Sequence, residues 1–486
     1  MLRIDYTKDW LNENCSIHPG KIFIITNARK LSFAAFENIV NQYFVFLKSK
    51  INEGDFTVLL LNNSIEFIAV ILALWRLKTI PVPLNTKSTA SEINSIISKH
   101  SFPHLISGTE YNSIEIDTCN KIVLPSWGDS TITAEYNTEV TPSKTSVVIF
   151  TSGSSSTPKG VIHTFDSLYC SAAGVESVIN HSENDLWLAS LPFYHIGGFA
   201  IIVRALLSGS TIVIPDKISA DCVIESIENY KPTLISLVPT VVKQILDKRI
   251  APHNELKAVF VGGGPSQDSI IREFYFAGWK PIKVYGSTET GSMVTALPTK
   301  DIESKSSSSG KAILINKILI LNKEGDEVPA NEIGEIVVES TTLAKGYLND
   351  PELTSKKFRT GKYFTGDFGY LDEYDFLFVV SRREDLIISG GENISPKEIE
   401  MILLSHEKIV DAVVFGIHDE LWGQSPVAAI VPRKDATVEE NDLKSFLKER
   451  VAAYKIPKRI FILDKLPRNE LGKIQKAQLK KILNLE

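Results

Sequence analysis

Short apolar runs alternate with polar turns along this chain, and the runs are of two kinds. Phe56-Thr57-Val58-Leu59-Leu60-Leu61 reads as a buried strand, and Ile65 to Leu77 as a largely buried helix. Thr79 to Asn85 is strand-like, and Glu92 to His100 suits a further helix. Strand–helix–strand order favours a parallel sheet covered by helices. The stretch 108–145 is only weakly patterned.

The same alternation returns after residue 145. Ser146 to Phe150 and Val161-Ile162 read as strands, as do Leu186 to Leu191 and Thr211 to Ile214, with a buried helix over Phe199 to Leu207 between the last two. Three more strands end in conspicuous segments: Leu234 to Val238 at Pro239-Thr240, Val259 to Val261 at Gly262-Gly263-Gly264-Pro265, and Lys283 to Tyr285 at Gly286-Ser287-Thr288-Glu289. Ligands of open α/β sheets gather at the carboxyl ends of strands, so a site is expected there. Residues 303–312 read as a loop, and 313–380 as short strands with turn signals, an antiparallel subdomain. After Ser381 the pattern becomes a compact α+β unit. Its helices open at Ser395-Pro396-Lys397-Glu398 and span Glu439 to Val451; its strands are Asp411 to Gly416 and Val427 to Val431. The fold class is therefore α/β: a large N-terminal domain over 1–381 and a small α+β C-terminal domain over 382–486.

Composition narrows the function. The 486 residues have room for roughly two to four domains. A net charge of −6 with no basic block argues against nucleic acid as a partner. The cysteines, Cys15, Cys119, Cys170 and Cys222, match no metal or redox spacing and read as free thiols of a reducing compartment. The longest apolar run, Phe67 to Trp75, is far short of the ~20 residues that span a bilayer. Met1 to Tyr6 lacks the apolar core of a signal peptide. A cytoplasmic protein is expected; oligomeric state is not legible.

The most chemical stretch is Thr151-Ser152-Gly153-Ser154-Ser155-Ser156-Thr157-Pro158-Lys159-Gly160. Hydroxyls and exposed backbone N–H groups bind phosphate oxygens, glycines admit close approach, and a lysine adds a point charge. By composition alone it is a Ser/Gly surface loop. Its place between two strands points to a polyphosphate site instead. It is not a Walker A loop, because the Gly-Lys-Ser/Thr ending is absent.

Further motifs follow in order: Pro192-Phe193-Tyr194-His195, Gly262-Gly263-Gly264-Pro265, Tyr285-Gly286-Ser287-Thr288-Glu289, Tyr363-Phe364-Thr365-Gly366-Asp367, Ser381-Arg382-Arg383-Glu384-Asp385 leading to Ser389-Gly390-Gly391-Glu392-Asn393-Ile394, and Leu466-Pro467-Arg468-Asn469 leading to Gly472-Lys473. The set, over almost the whole chain, resembles the adenylate-forming superfamily of acyl- and aryl-CoA synthetases, luciferases and peptide-synthetase adenylation domains.

That resemblance implies ATP, Mg²⁺ and CoA as ligands and a small carboxylic acid as substrate. It implies that Thr151, Ser152, Gly153, Ser154, Ser155 and Lys159 close on the β- and γ-phosphates, that Thr288 meets the α-phosphate, and that Glu289 is the metal ligand. Gly262, Gly263, Gly264, Tyr285 and Gly286 are similar to the adenine-side wall, and Asp367 and Arg382 to the ribose contacts. Lys473 resembles the lysine used in adenylation. His195, Gly198, Thr240 and Ser287 would line the acid site, and Gly390, Gly391, Trp422, Tyr454 and Lys458 the CoA path, with Glu384 at the hinge of a mobile C-terminal domain. His163 and His181 are read as structural. Two departures stand out: Ser156 replaces a usual loop glycine, and Gly291-Ser292-Met293 stands where relatives more often have Cys-Ser-Gln.

Within the superfamily the length, Leu84-Asn85-Thr86-Lys87, Pro192 to Gly198 and the C-terminal block look most like the o-succinylbenzoate–CoA ligase group of menaquinone synthesis. Benzoate-type or other acyl-CoA ligases are the alternative. A nucleotide-binding paralogue that keeps the fold without turnover is the alternative of another class.

Overall fold

The computed structural model describes residues 4–151, 158–264, 268–382, 387–389, 392–394, 396–419, 423–451, 453–469 and 472–485. The chain forms two compact units, residues 1–318 with 338–364, and residues 319–337 with 365–486.

The first unit is built on three sheets. The largest has nine strands, in the order Lys311–Ala312, Ser292–Leu297, Pro281–Ser287, Ala258–Val261, Leu234–Leu237, Leu186–Leu188, Thr211–Val213, Ile22–Ile25 and Lys30–Ser32. Its interior pairings are parallel and the outer ones antiparallel. Strands buried on both faces read as unbroken apolar runs, which is how these appear in the sequence. A second sheet of four strands has Phe56–Leu60 between Ile80–Pro83 and His104–Ser107, all parallel, with Asn120–Val123 at the edge. The third pairs Thr145–Thr151 with Lys159–Thr164, antiparallel, and Gly346–Tyr347 with the latter.

The helices follow the predicted runs. Ile65–Arg76 is capped by the Ser64 hydroxyl and buries nearly every residue. Ala90–His100 opens with a Thr89/Glu92 capping box. Ile196–Ser208 is buried along its length and stops at Gly209, whose φ of 71° is the left-handed conformation glycine adopts without strain. Arg76 ties three helices together: its guanidinium meets Asp9 at 2.7 Å, Glu37 at 2.7 Å and Asn41 at 2.9 Å. The expected loop over 303–312 is not all loop. It holds the end of the helix Ile302–Lys305 and the edge strand Lys311–Ala312; the serines and lysines there hid a strand too short to show a period.

In the second unit, Ile409–Asp419 and Gly423–Pro432 form a long antiparallel pair, joined by Ile387–Ser389, Glu392–Ile394 and, in parallel, Arg459–Ile462. Pro396–Leu404 and Glu440–Lys448 pack on it through Ile399, Leu403, Leu443 and Leu447. Leu377–Arg382 runs antiparallel to the Asp367–Leu371 end of its partner strand.

Candidate active site

Four neighbouring parallel strands of the large sheet end in the segments singled out in the sequence. Leu186–Leu188 leads to His195 and Gly198, Leu234–Leu237 to Thr240, Ala258–Val261 to Gly262, Gly263 and Gly264, and Pro281–Ser287 to Thr288 and Glu289. Parallel pairing puts their carboxyl ends on one edge, so the fold brings these residues together. His195 occupies the N-cap position of the helix Ile196–Ser208 without a side-chain capping bond and packs against Tyr194 with ring centroids 4.6 Å apart. Thr240 is exposed in the first turn of Pro239–Asp247.

The glycines serve different ends. A Cβ at Gly286 would lie 1.7 Å from the Ser292 carbonyl oxygen across the hairpin, and one at Gly262 would lie 2.6 Å from Val284 Cγ2. Both are required by strand packing. Gly263 has a φ of 79°, while Gly264 faces open space.

Thr288 and Glu289 sit in a single tight turn, Thr288–Thr290, held from several sides. His163 Nε2 donates to the Thr288 carbonyl at 2.8 Å. Burial pushes that imidazole down to about 4, so it is neutral, with Nδ1 facing the Ser167 hydroxyl at 3.1 Å. The Ala344 N–H donates to the Glu289 carbonyl at 2.8 Å, and the Tyr347 hydroxyl to Glu289 Oε1 at 2.9 Å. Tyr347 is in turn hydrogen-bonded by Tyr363, and burial raises both phenols well above their ordinary range.

Thr151 and Lys159 are backbone partners at the mouth of the Thr145–Thr151/Lys159–Thr164 hairpin. Ser152, Gly153, Ser154, Ser155 and Ser156 lie outside the described residues. The Gly160 carbonyl accepts from Leu348 N–H at 2.8 Å, and that of Ile162 from Lys345 N–H at 2.8 Å. This hairpin, the Thr288–Glu289 turn and the 344–348 segment are therefore tied directly.

One side chain that sequence reasoning passed over stands out. Arg204 lies in the buried helix Ile196–Ser208 and is 1% exposed. Its Nη2 is 3.4 Å from the Ser292 hydroxyl, its Nε is buried without a hydrogen-bond partner, and no carboxylate among the described residues pairs with it. Desolvation pulls its pKa down to about 10, so it remains a cation at neutral pH. Ser292 is opposite Ser287 in the hairpin and has a φ of 106°, a conformation that costs a non-glycine residue about 1–3 kcal/mol. The signal was one arginine in an otherwise apolar helical run.

In the second unit, the two residues expected at the ribose are register partners: Asp367 pairs with Arg382. The Asp367 N–H donates to Thr365 Oγ1 at 2.9 Å. The Arg382 and Tyr454 side chains and the residues Glu384, Gly390, Gly391 and Trp422 lie outside the described residues. Lys458 pairs with Asp419, and Lys455 with Glu398 at 2.8 Å. Lys473 is exposed, on a turn where Asn469 N–H donates to its carbonyl at 2.8 Å and Asn469 Oδ1 accepts from its N–H at 2.9 Å.

The turn Thr288–Thr290 has one carboxylate, Glu289, to offer a metal. Among the described residues no group of three or more His, Cys, Asp or Glu could hold an ion. With Oε1 bonded to Tyr347, Glu289 keeps Oε2 for a ligand. A single oxygen fits Mg²⁺, which dehydrates reluctantly and takes most of its ligands from phosphates and water.

Comparison with known proteins finds relatives over nearly the whole chain. The AMP-binding enzyme family matches residues 11–348, and the AMP-binding enzyme C-terminal domain matches 398–473. A 2-succinylbenzoate–CoA ligase of Geobacillus sp. (strain WCH70) is 33% identical over 98% of this chain and 97% of its own length. That of Bacillus subtilis (strain 168) is 32% identical over 97% of each. The o-succinylbenzoate coenzyme A synthetase of Bacillus subtilis in complex with ATP and magnesium ion superposes with a TM-score of 0.89 at 32% identity, over 97% of this chain and 99% of that one. Its complex with the acyl-adenylate intermediate gives 0.88 at 31%, over 97% and 98%.

Proposed function

The chain belongs to the AMP-binding enzyme family, and from that premise we propose that it is an ATP-dependent acid–CoA ligase whose acid is o-succinylbenzoate, a step of menaquinone biosynthesis. It is an AMP-forming acid–thiol ligase with ATP and Mg²⁺ for the first half-reaction and CoA as co-substrate for the second. A carboxylate oxygen of the acid attacks the α-phosphorus of ATP and pyrophosphate leaves. The CoA thiol then attacks the acyl carbon of the adenylate, and AMP leaves as the thioester forms.

The chain's own groups divide the work. Thr288 contacts the α-phosphate, with its position fixed from behind by His163. Lys159 and Lys473 face the negative charge that builds up there, and such fixed charge is a large part of a rate enhancement. Bound through Glu289, Mg²⁺ would neutralise phosphate charge as a Lewis acid. Asp367 and Arg382 hold the ribose. Residues 382–486 act as a mobile domain that serves the two half-reactions in turn, with Glu384 at its hinge. Gly390, Gly391, Trp422, Tyr454 and Lys458 guide CoA.

One structural observation supports the acid. o-Succinylbenzoate carries a second carboxylate besides the one activated, and Arg204 is a buried cation with no carboxylate beside it among the described residues. A buried charge is costly unless paired, so an anionic ligand group is its natural complement. No helix among the described residues is long and apolar enough to cross a membrane; with four free cysteines this supports a cytoplasmic location.

The test is direct. Protein with Mg²⁺, ATP, CoA and o-succinylbenzoate should release AMP and pyrophosphate and form the thioester. Release of ADP and phosphate would refute the mechanism. Turnover only with other acids would remove this substrate and leave the class.

A further inference from the structure

We propose that Tyr347 is a positioning residue for the Glu289 carboxylate: its hydroxyl occupies one carboxylate oxygen and so presents the other to the metal–triphosphate, while Tyr363 holds Tyr347 in place. The inference rests on the reading of Glu289 as the Mg²⁺ ligand.

The geometry has three parts. First, a carboxylate only accepts hydrogen bonds, so the 2.9 Å contact has Tyr347 donating to Oε1. The Tyr347 oxygen can then accept from Tyr363, giving a one-directional chain Tyr363→Tyr347→Glu289. Second, the chain is anchored. Tyr347 and Tyr363 are 6% and 4% exposed. The Tyr347 backbone is paired with Val161 and donates to Thr354 Oγ1 at 2.9 Å. At Gly346, φ is 145° and an added Cβ would lie 2.5 Å from Thr354 Cγ2. The phenol therefore projects from a backbone that has little room to shift. Third, the 344–347 segment holds Glu289 twice, by Ala344 N–H at the carbonyl and by Tyr347 at the side chain.

The consequence follows from entropy and geometry. A glutamate side chain loses rotamer freedom when ordered. A metal that takes one oxygen from the protein must bear that cost itself unless the carboxylate is already held. Second-sphere partners of this kind change metal affinity by about 10–100-fold when removed.

The experiment compares Tyr347→Phe, Tyr363→Phe and Glu289→Gln in the full chain. Mn²⁺ binding to the ternary complex with a non-hydrolysable ATP analogue is read from its EPR signal, and nucleotide affinity is measured separately without divalent metal. Tyr347→Phe should weaken Mn²⁺ about tenfold or more, leave metal-free nucleotide affinity within about twofold, and recover pyrophosphate exchange at high Mg²⁺. Tyr363→Phe, which keeps Tyr347, should give a smaller loss of about threefold and carries the test if Tyr347→Phe does not fold. Unchanged Mn²⁺ affinity in the tyrosine variants with a loss in Glu289→Gln would overturn this inference alone. No loss in Glu289→Gln would overturn the reading of Glu289 and this inference with it. Equal losses of Mn²⁺ and metal-free nucleotide affinity would mean that the tyrosines only support the fold, and the inference fails.

Discussion

A fully buried neutral histidine stands directly behind the residue proposed to meet the α-phosphate: His163 Nε2 lies 2.8 Å from the carbonyl oxygen of Thr288. The imidazole and the Ala344 N–H grip the turn at successive carbonyls.

His163→Ala should therefore slow adenylation by about tenfold to a hundredfold, since a carbonyl left without its donor costs about 1–3 kcal/mol and the turn is free to shift. His163→Gln, whose amide N–H can reach the position of Nε2, should recover part of the rate. Acid-dependent ATP–pyrophosphate exchange measures both. Equal loss in the two variants would show that the hydrogen bond is not what matters.

Arg204→Met separates binding from stability. The KM for o-succinylbenzoate should rise by tenfold or more, as expected when a charge-assisted contact is lost. An aromatic monocarboxylic acid, if turned over at all, should be affected little. Without any acid the variant should unfold at a higher temperature, because replacing a buried cation, with which no carboxylate among the described residues pairs, by a packed apolar chain removes a desolvation cost. A lower unfolding temperature together with unchanged KM would remove Arg204 from the acid site.

The half-reactions should come apart. Lys473→Ala should abolish adenylation while a supplied acyl-adenylate is still converted to thioester. Glu384→Pro should do the opposite, because proline fixes φ near −65° at the proposed hinge. Single-turnover measurement of each step decides it; equal loss of both steps in both variants would refute domain alternation.

Acid stability should depend on His181. Its Nε2 accepts from Trp187 Nε1 at 2.8 Å, and burial lowers its pKa to about 4 from 6.5. Above pH 6.5 the ring is neutral folded and unfolded, and stability is full. As pH falls from 6.5 towards 4 the unfolded chain takes up the proton first, so stability is lost at about 1.4 kcal/mol per pH unit. His181→Gln keeps an acceptor for Trp187 but cannot titrate. Between pH 7 and 5 its urea-derived stability should fall by about 2 kcal/mol less than that of the unaltered protein.

Much of this was legible in the sequence, and the limits are physical. The buried strands and the helices Ile65–Arg76 and Ile196–Ser208 showed as apolar runs, and the strand-end motifs placed His195, Thr240, Gly262 and Glu289 on one sheet edge. Arg204 was passed over because the run Phe199 to Leu207 reads as a buried helix by its apolar residues, and one arginine in it does not alter that pattern. His163 was read as structural, but its partner, like those of Tyr347 and Tyr363, was hidden for another reason. The contacts are distant along the chain, His163 with Thr288 and Tyr347 with Glu289, and no local pattern encodes such a pairing. The strand Lys311–Ala312 was missed because two residues carry no periodicity.

The turn at Lys473 bears on timing. Asn469 closes on Lys473 through both main chain and side chain, Gly472 N–H returns to the Asn469 carbonyl at 2.9 Å with a φ of 76°, and Arg468 and Ile474 bridge behind it. Fixing a residue's backbone costs about 1–2 kcal/mol, and here that cost is met once, when the unit folds. In the proposed role, what is left to settle at each turnover is the lysine side chain alone. In the role proposed for it, the lysine would reach the reaction as a pre-formed tool, and the slow event in its use would be the travel of the domain that carries it.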